Sequence, residues 1–165
     1  MVVFTNEFIK LVLLFWIFQW LGYKQLFLFS FIVLASIRVF AGGIHCESNI
    51  ACFILSLLFF LLSVIILPQY FRTMNLAIIV LISITSILLI VFLAPLPSSQ
   101  RPIQSIKRKK RLKWLAVFFT LVWQGVLWFL IQDTVFFSCG IGTIFLQSIQ
   151  LLWKFSSHLE RGLYE

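Results

Sequence analysis

Four stretches of this chain run for 18 residues or more without an Asp, Glu, Lys or Arg: Ile50–Leu67, Asn75–Ala94, Trp114–Gln132 and Thr134–Trp153. Each approaches or reaches the ~20 residues a helix needs to cross the hydrocarbon core of a bilayer. Backbone polar groups in lipid must be satisfied within the segment, so helix is the default for all four. Two earlier runs, Leu11–Tyr23 and Gln25–Ile37, are 13 residues each between charges and meet around Gly22 and Lys24. They read as two further crossings with snorkelling Lys10 and Arg38, or as a hairpin that enters only part of the bilayer. The pattern predicts an all-α, polytopic transmembrane helical bundle. It has about six membrane segments, with four spans plus a hairpin as the alternative, in a single integral membrane domain over residues 1–165.

Composition sharpens this picture. Hydrophobic residues make up 62% of the chain and charged residues 11%, against about 45–50% and about 25% in soluble globular chains. The formal net charge is +8, but seven of the thirteen basic residues lie between Arg101 and Lys113. That clustering points to membrane topology and not to a nucleic-acid surface. It predicts that the loop at 95–113, with Arg101, Lys107, Arg108, Lys109, Lys110, Arg111 and Lys113, is cytoplasmic. Counting crossings outward puts Gln69–Met74 outside, and both termini and the Arg38–Asn49 stretch inside. Ten basic residues then lie on the inner loops and tail, against Lys24 and Arg72 outside. The three cysteines, Cys46, Cys52 and Cys139, show no paired spacing that implies a disulfide framework or a zinc site. Glu7 and the lack of a small-residue cleavage site argue against reading the first segment as a signal peptide.

The candidate chemistry sits in one stretch, residues 38–52, at the predicted cytoplasmic edge. It holds an Arg, a Gly pair, a His, a Glu and two Cys within fifteen residues. Gly42 and Gly43 should break the helix, because they allow positive φ and close backbone approach. Ser48 or Asn49 then reads as the N-cap of the next span. Cys52 falls in the first turn of that span, where unpaired N–H groups and the positive end of the helix dipole suit an anionic nucleophile. His45 precedes Cys52 by seven residues, which on one straight helix would separate the Cα atoms by about 10.5 Å. Contact requires His45 to lie off the helix, folded back by the glycine turn, an arrangement compatible with Cys–His catalysis. From spacing alone, a buried thiol and a loop histidine remain the simpler reading.

Arg38, Gly42-Gly43, His45 and Cys52, followed by Ala94-Pro95, Arg101-Pro102-Ile103 and a Lys/Arg run, resemble the accessory gene regulator B family. These are bacterial membrane endopeptidases that process the precursor of a cyclic autoinducing peptide used in quorum sensing. The resemblance covers roughly residues 20–155. It implies a catalytic pair of His45 and Cys52, with Arg38, Gly42 and Gly43 as supporting residues. It also implies a small propeptide substrate, a homodimer, the bacterial plasma membrane as location, and no cofactor or metal. Cleavage through a thioester on Cys52, then attack by a substrate cysteine to close a thiolactone, is the reaction it suggests. Two features depart from the family pattern: a short N-terminal region and Cys46 directly after the histidine.

Other residues carry plainer readings. The seven basic residues between Arg101 and Lys113 are first a topology determinant and lipid contact, and second a docking surface for an acidic peptide segment. Cys139 beside Gly140 and Gly142 suggests helix packing. Asp133 reads as a solvated turn residue, and the aromatic-rich spans as lipid-facing bulk. The rival function is a non-enzymatic transport or peptide-export accessory, which should show ionisable residues well inside several spans. A metal site on His45 and the cysteines is a weaker third reading.

Overall fold

A computed structural model describes the backbone of residues 2–43, 48–96 and 105–162, and side chains over 8–43, 48–96 and 105–156. Among the described residues every regular element is helical. In chain order these are α1 (Val2–Trp20), α2 (Lys24–Ala41), α3 (Asn49–Leu61), a π-helical turn (Leu62–Ile66), α4 (Leu67–Thr73), α5 (Leu76–Leu93), α6 (Ile106–Phe129) and α7 (Thr134–Gly162). Five stretches are long and apolar enough to cross a membrane: Lys24–Ala41, Asn49–Thr73, Leu76–Leu93, Ile106–Phe129 and Thr134–Ser156. Phe8–Trp20 is a shorter apolar helix. The expected bundle of about six membrane segments is therefore present, with the first segment the short one.

The boundaries follow local chemistry. α1 stops at Gly22, whose φ is +83°. There the Tyr23 N–H reaches the Phe18 carbonyl at 2.8 Å and the Gly22 N–H reaches Gln19 at 3.1 Å. This pair of bonds is a Schellman closure, and it needs a left-handed residue at the glycine. Asn75 caps α5 by accepting the Ala77 N–H at 3.1 Å. Asp133 is exposed, as expected, but it also works as a cap: its Oδ1 accepts the N–H groups of Val135 (2.7 Å) and Phe136 (3.2 Å) at the start of α7.

Two element limits differ from the sequence reading. The third span does not end near Leu67 but runs to Thr73, passing through Pro68. A proline inside a helix removes one N–H and crowds the carbonyl four residues back. The π-helical turn widens the backbone just before it, with the Leu67 N–H bonded to the Leu62 carbonyl five residues earlier. Such a turn lets the helix continue past the proline. The predicted outer loop at Gln69–Met74 is consequently almost all helix. At the other face, α6 begins at Ile106. Lys107 to Lys113 are thus the first two turns of a helix and not part of an extended loop.

α7 is the central helix. Buried residues make up 56% of its membrane window, against 33% or less in the other four. Ser138, Cys139, Gly140, Gly142 and Thr143 keep its surface small and let neighbours approach. A methyl at Gly140 would lie 2.3 Å from the Leu127 side chain of α6, and one at Gly142 would lie 3.1 Å from Leu67 of α4. These two glycines are used for packing within the chain, as the sequence suggested. Gly125 has nothing within 4 Å.

α2 and α7 both contribute to two apolar clusters. One joins Val33 and Ile37 to Phe71, Ile79, Ile90, Ala116 and Leu127, with Ile141 and Ile144 of α7. The other joins Leu14 and Phe18 of α1 to Phe27, Phe59, Phe60, Val64 and Cys139. Its centre is aromatic: Phe18 stacks on Phe27 at 4.9 Å between ring centroids, and Phe60 meets Phe27 edge-on at 4.8 Å. The expectation that the aromatic residues face lipid is thus corrected for these rings, although Trp16, Trp20, Phe92, Phe129 and Trp153 are exposed. Between α2, the π turn and α7, Ser30 hydrogen-bonds Ser63 (3.1 Å) and Thr143 (2.8 Å). In an apolar interior such bonds add to packing as a source of helix association.

Candidate functional site at the end of α2

The last turn of α2 carries Arg38, half-buried, and ends at Ala41. Gly42 then takes φ +82° and ψ −172° while its N–H still bonds the Arg38 carbonyl. That extended, positive-φ conformation is essentially restricted to glycine. The helix break anticipated at the glycine pair is present, and Gly42 is the residue that makes it. Gly43 is needed for a different reason: a methyl there would lie 2.9 Å from Nε of Arg38, so the turn packs over the guanidinium.

Two distant segments close on this turn. The stretch after α5 is one of them: the Leu96 N–H donates to the Ala41 carbonyl at 3.2 Å. A methyl at Gly42 would lie 2.7 Å from the Leu96 carbonyl oxygen. The Ala94–Pro95 peptide, which is cis, therefore sits beside the Gly42-Gly43 turn. The other segment is α7. Gln147 Nε2 donates to the Gly42 carbonyl at 2.8 Å, and Lys154 Nζ donates to the Gly43 carbonyl at 3.0 Å. Arg38 Nη1 donates to Gln150 Oε1 at 3.3 Å. Gln147, Gln150 and Lys154 are spaced three and four apart, so they share one face of α7. Lys154 and Arg38 also lie within electrostatic reach of each other.

Cys52 stands where the sequence placed it. Ser48 is the N-cap of α3, in an extended conformation. The Cys52 N–H makes the first-turn bond to the Ser48 carbonyl at 3.0 Å. The Cys52 side chain is buried, with 7% of its surface exposed, and its carbonyl accepts the Ser56 hydroxyl at 2.9 Å. His45, Cys46 and Glu47 lie outside the described residues, as does Arg101. The structure thus brings Arg38, Gly42 and Gly43 together and sets Cys52 at the head of the next span, five residues beyond the four that separate Gly43 from Ser48.

Lys107, Arg108, Lys109, Lys110 and Arg111 are exposed, with Lys113 half-buried, at the start of α6. Their charge opposes the positive end of that helix's own dipole, so they are not there to stabilise it. Among the described residues their side chains form no hydrogen bond or ion pair with the turn. No three His, Cys, Asp or Glu side chains among the described residues come together as a metal site would require. A cavity of about 300 Å³ between α5 and α6 is lined by Val80, Ser83, Ile84, Ile87, Gln124 and Trp128. From Ser83 to Ala94 is roughly 16 Å along α5, so this cavity is separate from the turn.

Sequence reasoning missed Gln147, Gln150 and Lys154. The available signal was amides and a lysine recurring on one helical face of an otherwise apolar span. Ionisable side chains within the five spans lie near their ends, as Arg38, Arg72 and Lys154 do. The mid-span charges that a transporter would show are not among them.

An AgrB-like protein of Clostridium beijerinckii is 31% identical over 147 residues, covering 89% of this chain and 71% of its own length. AgrB-like protein 1 of Clostridium perfringens strain 13 is 31% identical over 148 residues, covering 81% of this chain and 78% of its own. No solved structure matches the chain. The model of the accessory gene regulator B family matches residues 1–151, a range that holds α1 to α6, the glycine turn, Cys52 and most of α7. The chain belongs to the accessory gene regulator B family, and through it to the quorum-sensing system of that name.

Proposed function

We propose that the chain is a membrane-embedded cysteine endopeptidase acting on a small bacterial propeptide, with Cys52 as nucleophile and His45 as its base. The observation that carries this reading is the break at Gly42. It ends α2 at Ala41, and α3 starts afresh after its Ser48 cap, which leaves Cys52 buried in a first helical turn, seven residues after His45 in the sequence.

The Cys52 sulfur attacks a peptide carbonyl, His45 accepts the thiol proton, and the C–N bond breaks as that proton passes to the leaving amine. N–H groups at the start of α3 are suited to hold the oxyanion. The acyl group remains on Cys52 as a thioester. A cysteine within the substrate then exchanges with it to release a thiolactone; one thioester forms as another breaks, so no nucleotide is consumed. Water must be kept from the thioester, and the burial of Cys52 serves that end. The basic first turns of α6 face the cytoplasm of a bacterial plasma membrane and dock the propeptide, and the working unit is a homodimer.

The test is co-expression with each short open reading frame from the gene's own neighbourhood, followed by mass spectrometry. One frame should yield a shortened product that is lost in Cys52→Ala and largely retained in Cys46→Ser. Processing that survives Cys52→Ala, or that fails only in Cys46→Ser, would overturn the assignment.

A further inference from the structure

We infer that Gln147 and Lys154 of α7 are positioning residues for the proposed Cys–His pair, acting through the glycine turn; the inference rests on the peptidase reading above. Two carbonyls that follow α2 face α7, and each receives a side-chain hydrogen bond from it. Gln147 holds Gly42 at 2.8 Å, and Lys154 holds Gly43 at 3.0 Å. A turn in which one residue has left-handed φ has no helical ladder to fix its direction, so these two bonds help to hold the Gly42 and Gly43 carbonyls in place. His45 follows Gly43 by two residues. The direction of the Gly43 carbonyl thereby bears on whether the imidazole meets a thiol seven residues on.

The donors are themselves fixed. Gln147 is fully buried on the central helix, so its amide cannot follow the turn if the turn moves. Its Oε1 has no hydrogen-bond partner among the described residues. A buried glutamine that leaves one amide atom unsatisfied is a costly way to fill space. A leucine would pack there with no such penalty, so the residue's use lies in the bond to Gly42. Lys154 is placed on the same face two turns later, with Gln150 between them holding Arg38. Three polar side chains of one helix thus grip three consecutive features of the site: the Arg38 head group, the Gly42 carbonyl and the Gly43 carbonyl.

The test reads Cys52 directly and needs no substrate. Full-length protein in native membranes is alkylated with iodoacetamide across a pH series, and the adduct at Cys52 is quantified by peptide mass spectrometry. His45→Ala defines the profile of a thiol without its base. Gln147→Leu and Lys154→Met should each shift the profile toward that of His45→Ala, with alkylation near neutral pH falling by about tenfold or more. Lys154→Arg, which keeps a cationic donor, should restore most of the wild-type profile. Gln124→Leu, which removes a buried amide beside the α5–α6 cavity, should leave it unchanged and controls for general loosening. The clamp is refuted if Gln147→Leu and Lys154→Met both keep the wild-type profile, or if Gln124→Leu loses it equally. Coincident wild-type and His45→Ala profiles would instead remove the Cys–His pair, and the positioning role with it. Cleavage assays separate the two failures, since Cys52→Ala loses processing whenever the peptidase reading stands.

Discussion

Gly42→Ala is the substitution on which the geometry bears most directly. Two penalties add at this position. An alanine with φ +82° and ψ −172° occupies backbone space that is essentially glycine's alone, at about 2 kcal/mol. Its methyl would also lie 2.7 Å from the Leu96 carbonyl oxygen. That oxygen cannot swing away freely, because the Leu96 N–H is bonded to Ala41, one residue from the clash. Overpacking against such a neighbour costs about 1–3 kcal/mol. The total of about 3–5 kcal/mol corresponds to a melting midpoint lower by roughly 6–20 °C in a chain of this length. Gly22→Ala is the internal control. Gly22 has almost the same φ, +83°, but nothing within 4 Å of an added methyl, so only the backbone cost of about 1–2 kcal/mol applies. The assay is thermal unfolding of the purified protein in detergent, followed through the fraction that survives size-exclusion chromatography. Gly42→Ala should melt well below Gly22→Ala. Equal midpoints would show that Leu96 does not press on the turn, and the account of how α5 reaches the site would fail with it.

Gly140→Ala puts a methyl 2.3 Å from Leu127, itself fully buried, and should lower stability by about 1–3 kcal/mol. Adding Leu127→Val opens the space, so the double variant should lose less than the sum of the two singles, and additive losses would sink the claim that α6 and α7 touch there. On mechanism, a substrate whose ring-forming cysteine is replaced by alanine has no thiol to resolve the thioester, and a covalent adduct of a substrate fragment with the chain should accumulate. Intact-mass spectrometry should find it sensitive to hydroxylamine and missing in Cys52→Ala; an adduct that persists in Cys52→Ala would place the acyl group elsewhere.

The membrane-spanning character of the chain and the break at residues 42–43 were both legible in the sequence, for the same reason. Lipid leaves the backbone no partner outside its own segment, so an uncharged run of about 20 residues has to be helix. A glycine pair beside a polar stretch is where such a helix can stop. Ser48 as the cap of α3, and Cys52 in its first turn, followed directly. What the sequence could not show is which way each helix faces. In a soluble helix the apolar stripe marks the core, but lipid is as apolar as leucine, so Phe27 in the core and Phe92 on the surface look alike along the chain. The inward aromatic cluster, the central place of α7 and the pairing of Gly140 with Leu127 therefore had to come from the packed structure. The passage of the third span through Pro68 was hidden for a related reason. A proline at the end of an apolar run reads as a stop, and only the π turn beneath it shows the helix going on. The polar residues were the exception that could have been read. Gln147, Gln150 and Lys154 recur on one face of an apolar helix, and their spacing says that something polar lies opposite. That the something is the Gly42-Gly43 turn, more than a hundred residues earlier in the chain, was decided by the fold, because only the packing of α2 against α7 brings those carbonyls within reach.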